Sequence, residues 1–420
     1  KILAKENTEK MNRLLQYRLP KSVIAIFDQG LYSGTNFVLT LFFAKQLPLS
    51  DFGMYSGIVL GTYLVLSLMG AFFMQPFQVG ASKIDEIHRY CSIITVGVVL
   101  FLIGFTLVFF PISIAIYGDK FPIGSAFFFV VAYLFQDFLR RLFLVLNKVW
   151  IVLGIDLLFA TFLLFFVQLS SQGLSLKLVL EGIAWANILS CSYGMIYVIR
   201  HFTKPTGWRE LFYKHCKEGQ WLLSVALLQW VASNFFVMVS GLYLGAAALG
   251  ALRLIQSLFG VLNVFMQAIE NYFLPRIAAL HHTQPEKGLQ LLHQMIGYGG
   301  VIFGTILIVF CLFSDDIIGL TAGSQYLPYT FLMPLMAVLY VIIFVSYPVR
   351  ILLRVHILNR TFFIGYALSF IASLFSFHFL LEQFGLWGAC IGLMMNQLIM
   401  FVYWNVELKK HQIVVWKLFM

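Results

Sequence analysis

Charge is scarce in this chain: only 11% of its 420 residues are charged, whereas 60% are hydrophobic. Long polar segments are also missing, so no stretch of the sequence is suited to forming a soluble domain of its own. Soluble globular proteins carry roughly 25% charged residues, and a chain this apolar needs lipid around much of its surface. The composition therefore argues against a soluble protein and predicts an all-α polytopic membrane protein.

Cysteine is rare and follows no pattern. The five cysteines are widely scattered, with no CxxC pair and no spacing typical of a metal site. We interpret them as reduced and structural. His281 and His282 are adjacent but have no further ligand at metal spacing, and we interpret them as solvated loop residues. We expect no metal site and no bound cofactor.

Twelve apolar runs separated by polar breaks predict twelve membrane-spanning helices. The predicted spans are 21–46, 53–79, 90–115, 122–145, 149–170, 179–200, 220–244, 248–275, 289–313, 327–349, 361–381 and 385–406. The termini and the loops after even-numbered spans hold 24 of the 28 Lys and Arg residues, and the opposite loops hold three. Positive residues stay on the cytoplasmic side of a membrane. Both termini are therefore predicted to be cytoplasmic.

The net charge of +10 is explained first by this topology. A second use of the basic loops is contact with anionic membrane lipids. Because the charge is spread over one side of a membrane protein, we expect no nucleic-acid binding.

The chain also repeats itself weakly. LPLSDFG at 47–53 matches LGAAALG at 244–250 with an offset of 197, and VLNK at 145–148 matches ILNR at 357–360 with an offset of 212. The matches fall at equivalent loops of two six-helix halves, as in transporters built from parallel repeats. We predict an N-terminal lobe over 1–200, a cytoplasmic linker over 201–219 and a C-terminal lobe over 220–420.

A continuous polar face runs along the predicted helix that spans 248–276. Its members are Arg253, Gln256, Gly260, Asn263, Gln267 and Glu270. They follow one another at steps of three or four residues, which puts all six on one helical face. Such a face is costly in a bilayer unless it meets protein or water. One interpretation is helix–helix packing, with Gly260 allowing close approach. Our preferred interpretation is a translocation cavity lined by Arg253, Gln256, Asn263 and Gln267.

Arg253 is the candidate anion-binding residue of this cavity. A guanidinium can bond phosphate oxygens bidentately. The alternative is that its side chain snorkels to the membrane interface, because it lies near the start of its helix.

The first predicted span carries a second polar face, formed by Gln29, Ser33 and Asn36, which we also assign to the cavity. Beside it lies Asp28, which forms either a salt bridge with Lys21 or a basic residue of another helix, or a protonatable coupling site. Asp156 has the same two interpretations.

The remaining charged residues near the helix ends favour structural roles. Glu270 is also a coupling candidate, but its position favours pairing with Arg276. Asp137 and Arg141 are four residues apart, a spacing that favours a local ion pair. We expect Arg140 and Arg141 to anchor the membrane interface.

Several segments resemble the bacterial polysaccharide-export flippases of the multidrug/oligosaccharidyl-lipid/polysaccharide (MOP) exporter superfamily. They are SGTNF at 33–37, QDFLRR at 136–141, GQWLLSVALLQW at 219–230, GALRLIQ at 250–256, QAIEN at 267–271 and FGLWGA at 384–389. The resemblance implies about twelve helices in two pseudo-symmetric lobes. It also implies alternating access and the transfer of undecaprenyl-pyrophosphate-linked oligosaccharide to the outer leaflet, for O-antigen or other surface polysaccharides.

The partners implied are that lipid-linked glycan, membrane lipids, and the polymerase and chain-length regulator of the same pathway. We expect a monomer in the bacterial inner membrane, with coupling to H⁺ or Na⁺. Three alternatives stay open: a cation-coupled drug antiporter of the same superfamily, an uncoupled scramblase or channel, and a membrane glycan polymerase or ligase. An enzyme of that last kind commonly needs a large external loop with Arg and His, which the loop at 314–326 lacks, so we predict that the chain is not an enzyme.

Overall fold

The computed structural model describes residues 21–81, 87–118, 121–169, 173–204, 207–281 and 284–413. Within these ranges the regular structure is helical, without β-strands. The long helices are α1 Lys21–Gln46, α2 Leu49–Ala81, α3 Ile87–Tyr117, α4 Ile123–Val145, α5 Val149–Leu169, α6 Leu176–Arg200, α7 Trp208–Leu244, α8 Ala246–His281, α9 Pro285–Leu312, α10 Leu332–Val355 and α11 Asn359–Lys410. A short helix, Ser314–Thr321, and a 3₁₀ turn, Ser324–Tyr329, connect α9 to α10.

The predicted spans correspond to these helices. Nine helices of the described ranges are long and apolar enough to cross a membrane. One of them is α11, which bends at Gly385 (φ 53°) and contains the last two predicted spans. Helices α1 and α4 have 26 and 23 residues, lengths that also suffice to span a bilayer. The fold is therefore that of an all-α polytopic membrane protein, as predicted.

Helices α8 and α2 contain local features that interrupt regular α-helical hydrogen bonding. Pro275 lies inside α8, where it has no amide hydrogen to donate to the preceding turn. Helix α2 contains a π-helical turn, Gly70–Met74. The start of α7 packs against this turn so closely that a Cβ on Gly219 would lie 2.9 Å from the carbonyl oxygen of Phe72.

The predicted linker at 201–219 is partly helical, because α7 begins at Trp208.

The chain groups into two compact units that do not follow the sequence halves. Among the described residues, one unit contains those within 21–38, 77–173 and 180–211, and the other contains those within 39–76, 174–179 and 212–413. Helix α2 belongs to the second unit because it packs along α8. The lobes predicted over 1–200 and 220–420, with the linker at 201–219, remain a prediction.

Local geometry supports the internal repeat. Leu49 and Ala246 begin α2 and α8, at the predicted offset of 197. The turn after α4 and the turn after α10 also match: Asn147 (φ 60°) and Ile357 (φ 55°) take the left-handed conformation at the same point of each turn. The same pattern of three backbone hydrogen bonds closes both turns. The structural offset here is 210, so the offset of 212 suggested by the sequence match was wrong by two residues.

Candidate functional site

A cavity of about 340 Å³ lies inside the second unit, between α7, α8, α10 and α11. Three residues of the predicted polar face line it: Arg253, Gln256 and Asn263. Helices place them there because steps of three and seven residues keep side chains on one face. The volume is at the lower end of the range for small-molecule sites, roughly 300–1,000 Å³.

Carboxamides dominate the polar lining of this cavity. They are Asn234 of α7, Gln256 and Asn263 of α8, and Asn396 and Gln397 of α11. Each carboxamide offers both donors and an acceptor. The residues lining the cavity include no aspartate and no glutamate.

Arg253 is the only charged residue among those lining the cavity. Its Nη1 donates to Oε1 of Gln256 at 3.2 Å. The phenols of Tyr63, Tyr340 and Tyr55 interact electrostatically with the guanidinium. Within the described ranges, no carboxylate lies within 4.0 Å of it. No described acidic side chain therefore forms an ion pair with this positive charge.

Hydrogen bonds hold the amides of the cavity in place. Nδ2 of Asn263 donates to the hydroxyl of Tyr340 at 2.9 Å. Asn396 is buried; its Oδ1 accepts from Ser373 at 2.7 Å and its Nδ2 donates to the carbonyl of Ala232 at 3.2 Å. These contacts leave the amides fixed before any ligand arrives, which lowers the entropic cost of binding.

The C-terminal part of the predicted polar face, which contains Gln267 and Glu270, does not line this cavity. Gln267 is exposed and is not among the lining residues. Glu270 accepts a 2.5 Å hydrogen bond from Tyr347 and pairs with Arg354 of α10. The predicted pairing of Glu270 with Arg276 was wrong. Arg276 instead lies over the ring of Tyr272, 3.5 Å from its centroid.

A second charged cluster is buried in the first unit. Arg140 of α4 donates through Nε to Asp156 of α5 at 2.9 Å and through Nη2 to Asp28 of α1 at 3.4 Å. All three side chains are buried, and both carboxyl groups contact the one guanidinium. The salt-bridge interpretation of Asp28 is thus the observed one, with Arg140 as the partner. The expectation that Arg140 anchors the interface was wrong, because Asp28 and Asp156 draw it inward.

The neighbouring ion pair follows the sequence prediction. Nε of Arg141 lies 2.6 Å from Oδ2 of Asp137, one helical turn earlier. Arg141 is partly exposed, unlike Arg140.

The polar face of α1 is satisfied locally. Nε2 of Gln29 donates to the hydroxyl of Ser33 at 3.1 Å, and Nδ2 of Asn36 donates to the carbonyl of Tyr32 at 2.9 Å. The guanidinium of Arg140 also lies over the ring of Tyr32, 3.6 Å from the ring centroid. The cavity role predicted for Gln29, Ser33 and Asn36 remains a prediction.

The polar cavity residues that were missed from the sequence include Asn234, Tyr340, Asn396 and Gln397. The adjacent pair Asn396–Gln397 was the strongest available signal, since two carboxamides interrupt an otherwise apolar span. Asn234 and Tyr340 gave little signal, because single polar residues occur in many spans. In the described ranges, no group of three His, Cys, Asp or Glu residues is placed to hold a metal ion.

Comparison with known proteins identifies the fold. A scan against protein-family models and a search of curated proteins both find no match. Solved structures of MOP superfamily transporters do match. An inward-facing multidrug resistance MATE family transporter has a TM-score of 0.70 at 12% identity, covering 91% of this chain and 95% of that chain. The lipid II flippase MurJ, in an inward closed conformation, has a TM-score of 0.72 at 13% identity, covering 93% of this chain and 87% of that chain.

A third match is a MOP superfamily transporter from Pyrococcus furiosus, described as having a binding pocket of reverse polarity that suggests a different function. Its TM-score is 0.57 at 13% identity, and it covers 93% of this chain and 94% of that chain. The chain therefore has the fold shared by MATE transporters and MurJ, as the sequence resemblance implied.

Proposed function

We propose that this chain is a MOP superfamily transporter that moves polyprenyl-pyrophosphate-linked oligosaccharide across the bacterial inner membrane, from the cytoplasmic to the outer leaflet. One observation carries the proposal: Arg253 presents a guanidinium that pairs with no carboxylate of the described residues, in a cavity lined by five carboxamides. The same fold in the lipid II flippase MurJ supports it.

The chemistry of the cavity suits a sugar that bears an acidic group. A guanidinium forms charge-assisted, often bidentate, bonds with phosphate or carboxylate oxygens, and these are about twice as strong as neutral hydrogen bonds. Carboxamides donate and accept, as sugar hydroxyls do. Arg253 would bind the pyrophosphate or an acidic sugar, while Gln256 and Asn263 bind hydroxyls.

The drug antiporter is the main competing function. A cationic drug needs a negative or aromatic partner, since an unpaired charge in a low-dielectric cavity is costly. Arg253 would repel such a ligand, and no carboxylate lines the cavity to offset the repulsion. The polarity of the site thus favours an anionic substrate.

For energy coupling we propose the Asp28–Arg140–Asp156 cluster. Two ionised carboxylates beside one guanidinium carry one net negative charge, and a single bound proton makes the cluster neutral. Closely spaced carboxyl groups commonly hold one shared proton for this reason. The cluster would therefore hold the coupling proton.

We also propose the membrane topology and the partners that the sequence predicts. Both termini face the cytoplasm, and basic loops contact anionic lipids. The polymerase and chain-length regulator of the same pathway receive the transferred glycan, and the chain itself catalyses no reaction.

The test is a flipping assay in proteoliposomes. The substrate is a fluorescent short-chain polyprenyl-pyrophosphate disaccharide, and a membrane-impermeant quencher measures its transfer between leaflets. Ethidium, a lipophilic cation, serves as the competing substrate. We expect protein-dependent flipping of the pyrophosphate and no gradient-driven movement of ethidium; the reverse result would establish the antiporter.

Arg276→Ala is a matched control for Arg253→Ala in this assay. Both arginines lie on α8, but Arg276 is exposed and stacks on Tyr272. We expect flipping to be lost in Arg253→Ala and kept in Arg276→Ala.

A further inference from the structure

Two glycines bring α2 and α8 into direct backbone contact. A Cβ on Gly250 would lie 3.0 Å from both the backbone N and the Cα of Gly53, and 3.2 Å from the carbonyl oxygen of Leu49. A Cβ on Gly53 would collide with the carbonyl of Ala246. Neither position can hold a side chain while the helices stay this close.

Each helix makes the same contact with the other, in equivalent positions of the internal repeat. At the offset of 197, Gly53 is equivalent to Gly250, and Leu49 is equivalent to Ala246. Gly53 meets Ala246, and Gly250 meets Leu49. When residue i contacts j and the equivalent of i contacts the equivalent of j, a two-fold axis passes through the contact. The local two-fold axis between α2 and α8 therefore runs through this glycine pair.

The contact lies immediately beside the candidate substrate site. Arg253 follows Gly250 by three residues, which is less than one helical turn or about 4.5 Å along the axis. On α2, the buried residue Ser56 is equivalent to Arg253 and follows Gly53 by the same distance.

The connection between α9 and α10 covers the same end of the helices. Nε2 of Gln325 donates to the carbonyls of Ala44 and Leu47 at 2.9 and 3.1 Å, and so caps the end of α1. The buried ring of Tyr326 packs edge-on against Phe52, with centroids 6.1 Å apart. The charge distribution marks this end as external.

We propose that the Gly53–Gly250 contact is the external gate of the transporter: α2 and α8 part there to release the substrate that Arg253 has bound. This inference rests on the proposed function for its direction. Because α2 and α8 touch here through backbone alone, the contact can close tightly, and no ion pair has to break when it opens. Side chains at these two positions would therefore hold the gate open.

The first test measures gate opening directly and requires no substrate. The reporter is Ser56→Cys in a variant without the five native cysteines, labelled in intact cells by a membrane-impermeant maleimide. Adding Gly53→Ala should raise the labelling rate about tenfold, the population shift that about 1.4 kcal/mol of overpacking produces. Gly61→Ala is the control on the same helix, because a Cβ there meets nothing within 4 Å, and it should change the rate by less than about twofold. Equal rates in the two alanine variants would overturn the gate.

The second test keeps both glycines, so it still tests the gate if the Gly53→Ala variant does not accumulate in the membrane. A Cβ on Gly57 would lie 3.3 Å from Cδ2 of Leu249, so cysteines at these two positions are within reach of a short reducible thiol cross-linker. Cross-linking should abolish flipping in proteoliposomes, reduction should restore it, and each single cysteine variant should remain active. Full flipping by the cross-linked protein would show that the contact never opens. A protein that moves no pyrophosphate lipid in any form would refute the proposed function, while the labelling test still decides the gate.

Discussion

Arg140 of α4 binds Asp28 of α1 inside the first unit, with 3.4 Å between Nη2 and Oδ2. The same guanidinium binds Asp156 of α5 at 2.8 Å. One buried cation thus connects three helices, and each carboxylate depends on it for neutralisation. The cost of removing such a cation is far larger than its net contribution to stability.

Arg140→Met should strongly destabilise the protein. It leaves two buried carboxyl groups unpaired, at a cost of about 3–5 kcal/mol. The measurement is the fraction of protein that stays monodisperse after heating in detergent. Arg141→Met is the control, since the partly exposed pair with Asp137 contributes about 0.5 kcal/mol.

A triple variant tests the cause of that loss. Arg140→Met together with Asp28→Asn and Asp156→Asn has no charge imbalance, so it should recover much of the heat resistance. No recovery would mean that Arg140 acts through packing against Tyr32 instead of through charge.

Asp28→Asn should uncouple transport. The protein should reach the membrane and still exchange substrate between leaflets, but an imposed proton gradient should no longer drive accumulation. Asp156→Asn should behave in the same way, because the two carboxyl groups share one site. Normal gradient-driven transport in both variants would remove the cluster from coupling.

Glu270→Gln should leave coupling intact. Glu270 is tied to Tyr347 and to the partly exposed Arg354, so it serves to hold α8 against α10. We expect at most about 1 kcal/mol of destabilisation, with gradient-driven flipping near the wild-type rate. Loss of the gradient effect alone would instead identify Glu270 as a coupling group.

Topology can be tested with single cysteines in a variant without native cysteines. Asp315→Cys, at the exposed connection between α9 and α10, should react with an impermeant maleimide in intact cells. Lys217→Cys, near the start of α7, should react only after permeabilisation. The opposite pattern would invert the predicted orientation.

Much of the fold could be predicted from the sequence because lipid imposes strong rules on composition. Apolar runs predicted the helices, and three- and four-residue steps placed Arg253, Gln256 and Asn263 on one face. These arguments use periodicity within one helix. The pairing of Asp137 with Arg141 was predictable for the same reason.

Contacts between helices could not be predicted in this way. Arg140 looked like an interfacial residue because its two partners lie 112 and 16 residues away. Glu270 pairs with Arg354 of α10 instead of with Arg276, which is nearer in the sequence. Gln267 does not line the 340 Å³ cavity, although it shares a helical face with Arg253, so its predicted role stays a prediction.

The most direct test of the account is the affinity of purified protein for a polyprenyl-pyrophosphate disaccharide, measured by equilibrium binding in detergent. Wild type, Arg253→Lys, Arg253→Ala and Arg276→Ala should be compared at one salt concentration. Losing a desolvated charge pair costs at least about 2 kcal/mol, so Arg253→Ala should bind roughly 30-fold more weakly, Arg253→Lys should be intermediate, and Arg276→Ala should match wild type. Equal affinity in Arg253→Ala and wild type would contradict the account.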